Sequence, residues 1–298
     1  MRGRTLRLVV PLLATLALIG SACGSNNNNP PASGGGSGSP SAGGPPSFTT
    51  LKQGVLQVGS CLDYPPFELV KNGKETGFDV DLTDAIAKKL GLQVQWIKAN
   101  FNTIFTAVAG HQFDMVAAAV TATGKTGAKR AQTVDFSNYY YDSLQSLTVN
   151  PTKTPSITNT DQLGSGDVVG VQKGTTGEVW AQDNLAPNGV QIKSYTSSPD
   201  SFRDLEGGAI QGVINDDPSS EAIVATQFPD LKVVQTIDTN EKYALAFAKD
   251  TPDLVAAVNL ALKQIIADGE YEQIFRKYFP HGQIPPEFSP SGSASPSP

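Results

Sequence analysis

Cysteine is nearly absent: the 298 residues hold two, Cys23 and Cys61. At most one intrachain disulfide can form, so a hydrophobic core must hold the fold. Histidine is as scarce. His111 follows a helix-stopping glycine and His281 stands at the start of the C-terminal tail, so neither is placed to act as a general acid or base. Acids outnumber bases 28 to 22, for a net charge of −6 with no basic patch, which argues against nonspecific nucleic-acid binding. The apolar run from Leu8 to Ile19, broken by Pro11 and Thr15, is short for a membrane span.

What surrounds that run is informative. Arg2, Arg4 and Arg7 precede it and Gly20-Ser21-Ala22-Cys23 follow, the layout of an export signal over residues 1–22. The mature protein is expected outside the cytoplasm. A cysteine directly after small residues resembles a bacterial lipobox, with Gly20 where leucine is usual. That resemblance implies acylation of Cys23 and a lipid anchor in the outer face of the cell membrane. Without residues 1–22, 19 bases face 28 acids and the net charge becomes −9. An acylated Cys23 leaves Cys61 without an intramolecular partner. Residues 23–47 are Asn, Gly, Ser and Pro with almost nothing apolar, which cannot repay the entropy of ordering. They are expected to be a disordered tether reaching about 25 to 30 Å. Residues 284–298 share that character and are expected to be a disordered tail.

Between these ends, short β-like runs alternate with amphipathic helical ones. Val55–Val58, Val94–Ile97 and Phe113–Ala117 read as strands, with helices at 79–90 and 102–109 between them. A second series follows from Val168, with strands at 168–171, 190–195, 209–214 and 231–235 and helices at 178–185, 199–205 and 218–226. Tyr243–Phe247 reads as a further strand, and helices at 252–267 and 270–279 finish the body. This alternation predicts two doubly wound α/β lobes, in which ligands bind beyond the carboxyl ends of strands.

The residues after those strands are candidate contacts. Gly59 to Phe67 presents Cys61, Tyr64 and Phe67 around Pro65-Pro66, and Phe101 could stack on a ligand or pack under its helix. Ala118 and Ala119 leave backbone groups open and Thr121 adds a hydroxyl. Arg130 offers a carboxylate a planar, bidentate partner. Gly174-Thr175-Thr176 opens a helix and can cradle an anion, or Thr175 can simply cap it. Asp217 suits an N-cap, leaving Asp216 free for a cation. The triplet Gly124-Lys125-Thr126 is no phosphate loop, since Ala119 stands where the first glycine is needed; a strand-to-loop insertion is expected there.

One stretch sets the rest in order. In Gly77-Phe78-Asp79-Val80-Asp81-Leu82-Thr83-Asp84-Ala85-Ile86-Ala87-Lys88-Lys89-Leu90, the apolar residues at 78, 82, 85, 86 and 90 form one stripe, and Gly91 marks the stop. This pattern resembles the signature of the family 3 extracellular solute-binding proteins, the amino-acid receptors of ABC importers. The resemblance extends over 51–279 through Tyr64-Pro65-Pro66-Phe67, Phe113-Asp114-Met115-Val116-Ala117, Val134-Asp135-Phe136-Ser137, Gly170-Val171-Gln172-Lys173-Gly174-Thr175-Thr176 and Asp268-Gly269 to Lys277-Tyr278-Phe279.

It implies a two-lobed periplasmic-binding-protein-like fold of type II: lobe 1 from 48–145 and 242–283, lobe 2 from 146–241, joined by crossover strands near 144–148 and 241–244. It implies that Arg130 clamps an α-carboxylate with Thr121, Thr175 and Thr176, that Asp216 takes the α-ammonium, and that Tyr64 and Phe101 sandwich the ligand. Ala118 and Ala119 would offer carbonyls, and Gln172 would vary with the ligand side chain. Cys61 stands where receptors for basic side chains often carry Asp, so a polar or small neutral amino acid is favoured. The segment from Thr123 to Arg130 is about four residues longer than usual, which threatens to displace the clamp or to let Lys125 share its role. The implied protein is monomeric, needs no metal or cofactor, and hands its ligand to a membrane permease. A sensory partner of a signalling receptor, or a dehydratase-type enzyme on the same fold, would use the same cleft.

Overall fold

The computed structural model of the chain describes residues 47–290. The export signal at 1–22, Cys23, nearly all of the tether and residues 291–298 lie outside the described residues. In chain order the elements are β1 (Val55–Ser60), β2 (Asp63–Tyr64), β3 (Glu68–Lys71), β4 (Lys74–Thr76), α1 (Phe78–Leu90), β5 (Gln93–Lys98), α2 (Phe101–Ala109), β6 (Met115–Val116), α3 (Gly124–Arg130), β7 (Val134–Val149), β8 (Val168–Gln172), α4 (Thr176–Asn184), β9 (Gln191–Tyr195), α5 (Ser198–Gly207), β10 (Gly212–Asp216), α6 (Asp217–Gln227), β11 (Lys232–Ala248), α7 (Pro252–Ala267) and α8 (Glu270–Tyr278).

Among the described residues, eight strands form one sheet in the order β5-β1-β6-β11-β7-β10-β8-β9. β5, β1 and β6 run parallel at one end; β10, β8 and β9 run parallel at the other. The long antiparallel pair β7 and β11 joins the two ends, and a register jump between Ile237 and Glu241 interrupts their pairing. Helices cover both faces of each end, giving four apolar clusters: one under α1, α7 and α8, one under α2, one under α4, and one under α5 and α6. This is the two-lobed type II architecture, with both expected crossovers falling inside the two long strands.

The start of α1 explains why two separate sequence motifs are needed together. The Phe78 amide donates to Pro66 O and the Asp79 amide to Phe67 O, each at 2.9 Å, so the proline turn supplies acceptors that the first turn of a helix lacks internally. Gly77 makes this contact possible. Its φ is 137°, and a Cβ there would lie 2.0 Å from Phe67 O. Gly91, at φ 70°, ends the helix as expected.

Several expectations need correction. The expected strands at 231–235 and 243–247 belong to one strand, β11, which begins at Lys232 and pairs with β7 on both sides of its polar middle. Phe113–Ala117 pairs only at Met115–Val116. Residues 124–130 form a helix rather than a loop; Gly127 packs so closely on Ala122 that a Cβ would lie 2.2 Å from its carbonyl carbon. The tail is ordered as far as it is described: Phe288 is buried against Tyr271, with ring centres 5.7 Å apart. A small sheet of β2, β3 and β4 was not anticipated, although its Asn72-Gly73 turn, with φ 53° and 73°, is a strong hairpin signal. No helix among the described residues is long and apolar enough to cross a membrane.

Candidate functional site

A narrow hollow with a free volume of only about 20 Å³ lies between the two ends of the sheet. Cys61, Tyr64, Phe101, Ala118, Ala119, Thr121 and Arg130 line it from one side, and Gln172, Thr175, Thr176 and Asp216 from the other. The sequence-predicted contacts converge there with two exceptions: Phe67 is buried in the core under α1, and Lys125 is exposed outside the hollow. One further wall residue, Glu68, went unrecognised.

Arg130 is 7% exposed and ends α3, so the longer segment coils into a turn of helix and returns the guanidinium to the hollow. Its Nη1 donates to Thr121 O at 2.7 Å and its Nη2 to Gly174 O at 3.0 Å. These carbonyls take two of five available N–H groups and leave the fork usable by a carboxylate. The group sits over the rings of Phe101 and Phe105, 5.1 and 4.9 Å from their centres. Burial lowers its pKa to about 10, against the pull of Asp216 and Glu241, so it stays charged at neutral pH. Lys125 does not share the role: it is exposed and pairs with Asp183 at 2.7 Å.

Asp216 ends β10, where the chain turns into α6. Its carboxylate accepts from Gln145 Nε2 and from the Tyr243 hydroxyl, one on each long strand. The same Gln145 nitrogen donates to Glu241 at 2.8 Å. Burial and the nearby Glu241 raise the Asp216 pKa to about 7, although its donors work the other way. The N-cap assignment changes: Asp216 occupies the capping position without a side-chain cap bond, while Asp217 begins the helix and accepts from Thr236.

Thr175 is the N-cap of α4, accepting from the Glu178 amide at 3.1 Å and donating to Gln172 O at 2.7 Å. The helix's first amides, beginning with Thr176, lack acceptors within the helix and face an anion favourably. Gln172 donates to Thr196 O at 3.2 Å, and the Tyr64 hydroxyl reaches Asn215 Oδ1 at 3.1 Å across the hollow. Cys61 is a buried free thiol, its pKa pushed up by desolvation and by Glu68 and Asp63.

Glu68 is 1% exposed and its Oε2 has no hydrogen-bond partner among the described residues. Burial first, then Asp79, Asp63 and Asp216, hold its pKa well above the usual carboxylate range. Glutamate is almost never fully buried without a partner, so residue type alone argues against placing it inside. Among the described residues no three His, Cys, Asp or Glu side chains are grouped to hold a metal ion.

Residues 56–281 match the bacterial extracellular solute-binding proteins, family 3. The chain belongs to that family. Among family 3 relatives, it is 30% identical over 224 residues to a probable histidine-binding protein of Campylobacter jejuni, covering 75% of this chain and 84% of that one. It is 28% identical over 237 residues to an L-arginine-binding protein of Pseudomonas aeruginosa, covering 75% and 87%. An ancestral arginine-binding protein bound to arginine superposes with a TM-score of 0.71 at 33% identity, covering 76% of this chain and 99% of that structure.

Proposed function

We propose that the chain is the substrate-binding component of an ABC importer, capturing an amino acid between lobe 1 (48–145 with 242–283) and lobe 2 (146–241) and delivering it to a membrane permease. The observation that carries this reading is the pairing of Arg130 and Asp216, buried and opposite in charge, on the walls of one hollow. Arg130, Thr121 and the amides at Thr175 and Thr176 take the α-carboxylate; Asp216 takes the α-ammonium; Tyr64 and Phe101 flank the ligand; Ala118, Ala119 and Gln172 complete the wall. The protein works as a monomer outside the cytoplasm, on a lipid anchor at Cys23.

Cys61 alone argues for a polar or small neutral side chain. Glu68 shifts the preference. Once a zwitterionic backbone is matched by Arg130 and Asp216, Glu68 is the acid left over, and its unpartnered oxygen suits a ligand whose side chain ends in a hydrogen-bond donor, basic ones foremost. The histidine and arginine named for relatives have such side chains. Calorimetric titration of the chain with each of the twenty L-amino acids tests the reading: saturable binding of at least one donor-bearing amino acid is expected, and no binding by any would overturn it.

A further inference from the structure

Asp79 is the third residue of the signature stretch, and it does not itself line the hollow. A carboxylate in the first turn of a helix ordinarily faces solvent, where it suits the helix dipole. Asp79 instead turns inward and is fully buried. Its Oδ2 accepts from the Ala119 amide and from the Tyr140 hydroxyl, both at 2.8 Å. Burial raises its pKa to about 6, and these two donors oppose the rise. Such a group is costly unless its bonds do something that the fold needs.

The bond to Ala119 falls at a particular place. Ala119 lines the hollow and has φ 47°, in the left-handed region that a residue with a Cβ disfavours. The segment around it is tied at both ends, Ala117 N to Gly59 O at 3.1 Å and Ala122 N to Lys242 O at 2.9 Å. Between these ties the Ala119 amide goes to Asp79. Two residues on, Thr121 O receives Arg130 Nη1. The Tyr140 end is also fixed, because the Tyr271 hydroxyl donates to Tyr140 O at 2.7 Å.

We propose that Asp79 is a positioning residue for the binding hollow: its carboxylate holds Ala119 in the left-handed conformation, and so sets the backbone that lines the site and seats Arg130. The consequence for affinity rests on the amino-acid reading above; the consequence for the backbone does not. Asp79 Oδ1 has no partner among the described residues, so Asp79→Asn can keep the accepting oxygen and place its nitrogen there.

The test compares the unaltered full chain with D79A, D79N, A119G and D79A/A119G. Two readouts are needed: hydrogen exchange in the 117–122 segment, and titration with L-arginine, L-histidine and L-glutamine. D79A should expose the Ala119 amide to fast exchange and weaken whichever amino acid binds by about tenfold or more. D79N should stay within about threefold in affinity, with exchange rising several-fold because a neutral oxygen is the weaker acceptor. A119G, which adopts the left-handed region without penalty, should restore most of the affinity in the D79A background but not the protection. D79A with unchanged exchange, or D79N as weak as D79A, overturns the proposal. If D79A does not fold, D79N decides alone, and unchanged exchange at Ala119 counts against it. Failure of the unaltered chain to bind any of the three amino acids contradicts the receptor reading, while the exchange comparison still judges Asp79.

Discussion

The Nη2 of Arg130 donates to the carbonyl of Gly174 at 3.0 Å, joining a residue of the β5-β1-β6 end of the sheet to one of the β10-β8-β9 end. The hollow is thus spanned by the group assigned to the ligand carboxylate. Nearby, Gly174 approaches α2 so closely that a Cβ would lie 3.3 Å from the Asn102 Cα. Ser197 reaches Asp63 at 2.9 Å on the other side. The structure describes the two ends in contact, with the guanidinium already oriented by protein carbonyls.

Arg130→Lys should therefore not substitute. A lysine offers a point charge where the site is built for a planar fork, and it leaves one or both carbonyls without a donor. Amino-acid affinity should fall by roughly 2 to 5 kcal/mol, as for truncation of one member of a buried charged pair. Calorimetry on the purified variant reads this directly, and wild-type affinity would remove Arg130 from the site.

If Asp216 takes the ligand ammonium, binding should depend on pH. Burial and the nearby Glu241 raise its carboxyl pKa to about 7, and a ligand ammonium beside it would favour the charged form. Below that pH, binding must first release a proton, so affinity should fall toward tenfold per pH unit between about 7 and 5. Stability of the unliganded chain should run the opposite way. The folded-state pKa lies above the ordinary Asp value of 3.8, so the folded state holds the extra proton below about 7, and Asp216 contributes stability at pH 5 that is lost as pH rises through 7. Asp216→Ala should abolish both the binding and its pH dependence.

Selectivity should follow the acids near Cys61. Glu68→Gln should weaken binding of basic amino acids more than that of glutamine, whereas Cys61→Asp should shift preference toward basic side chains. Competition titrations among arginine, histidine and glutamine distinguish these outcomes. No change in either variant would place the ligand side chain elsewhere.

Gly77→Ala should destabilise the fold. Both a φ of 137° and a 2.0 Å approach to Phe67 O oppose a Cβ, and the strain is about 3 kcal/mol. For a body of this size the melting midpoint should drop by about 6 to 12 °C.

Local features were well expressed in the sequence. The stripe from Phe78 to Leu90 and its glycine stop identify α1, because helix periodicity and capping depend on neighbours in the chain. The candidate contacts were named by their places after strands and by family resemblance. Their convergence was not legible, since it depends on how β7 and β11 bring distant segments together. The return of Arg130 through α3 depends on the contact between Gly127 and Ala122, and the burial of Phe288 on a core formed by other elements. Glu68 was missed because a buried, unpaired carboxylate runs against every compositional expectation. The β2–β4 hairpin is legible in Asn72-Gly73.

The most direct measurement is the thermal midpoint of the chain with L-arginine, with its decarboxylated amine agmatine, and with its deaminated α-keto acid. A ligand at a hundred times its dissociation constant adds about 2.7 kcal/mol of stability. If Arg130 and Asp216 grip the two ends of an amino acid, the intact amino acid should raise the midpoint by several degrees while the amine and the keto acid at equal concentration leave it nearly unchanged. Equal shifts from all three would contradict the account, since the α-carboxylate and α-ammonium would then contribute nothing to recognition.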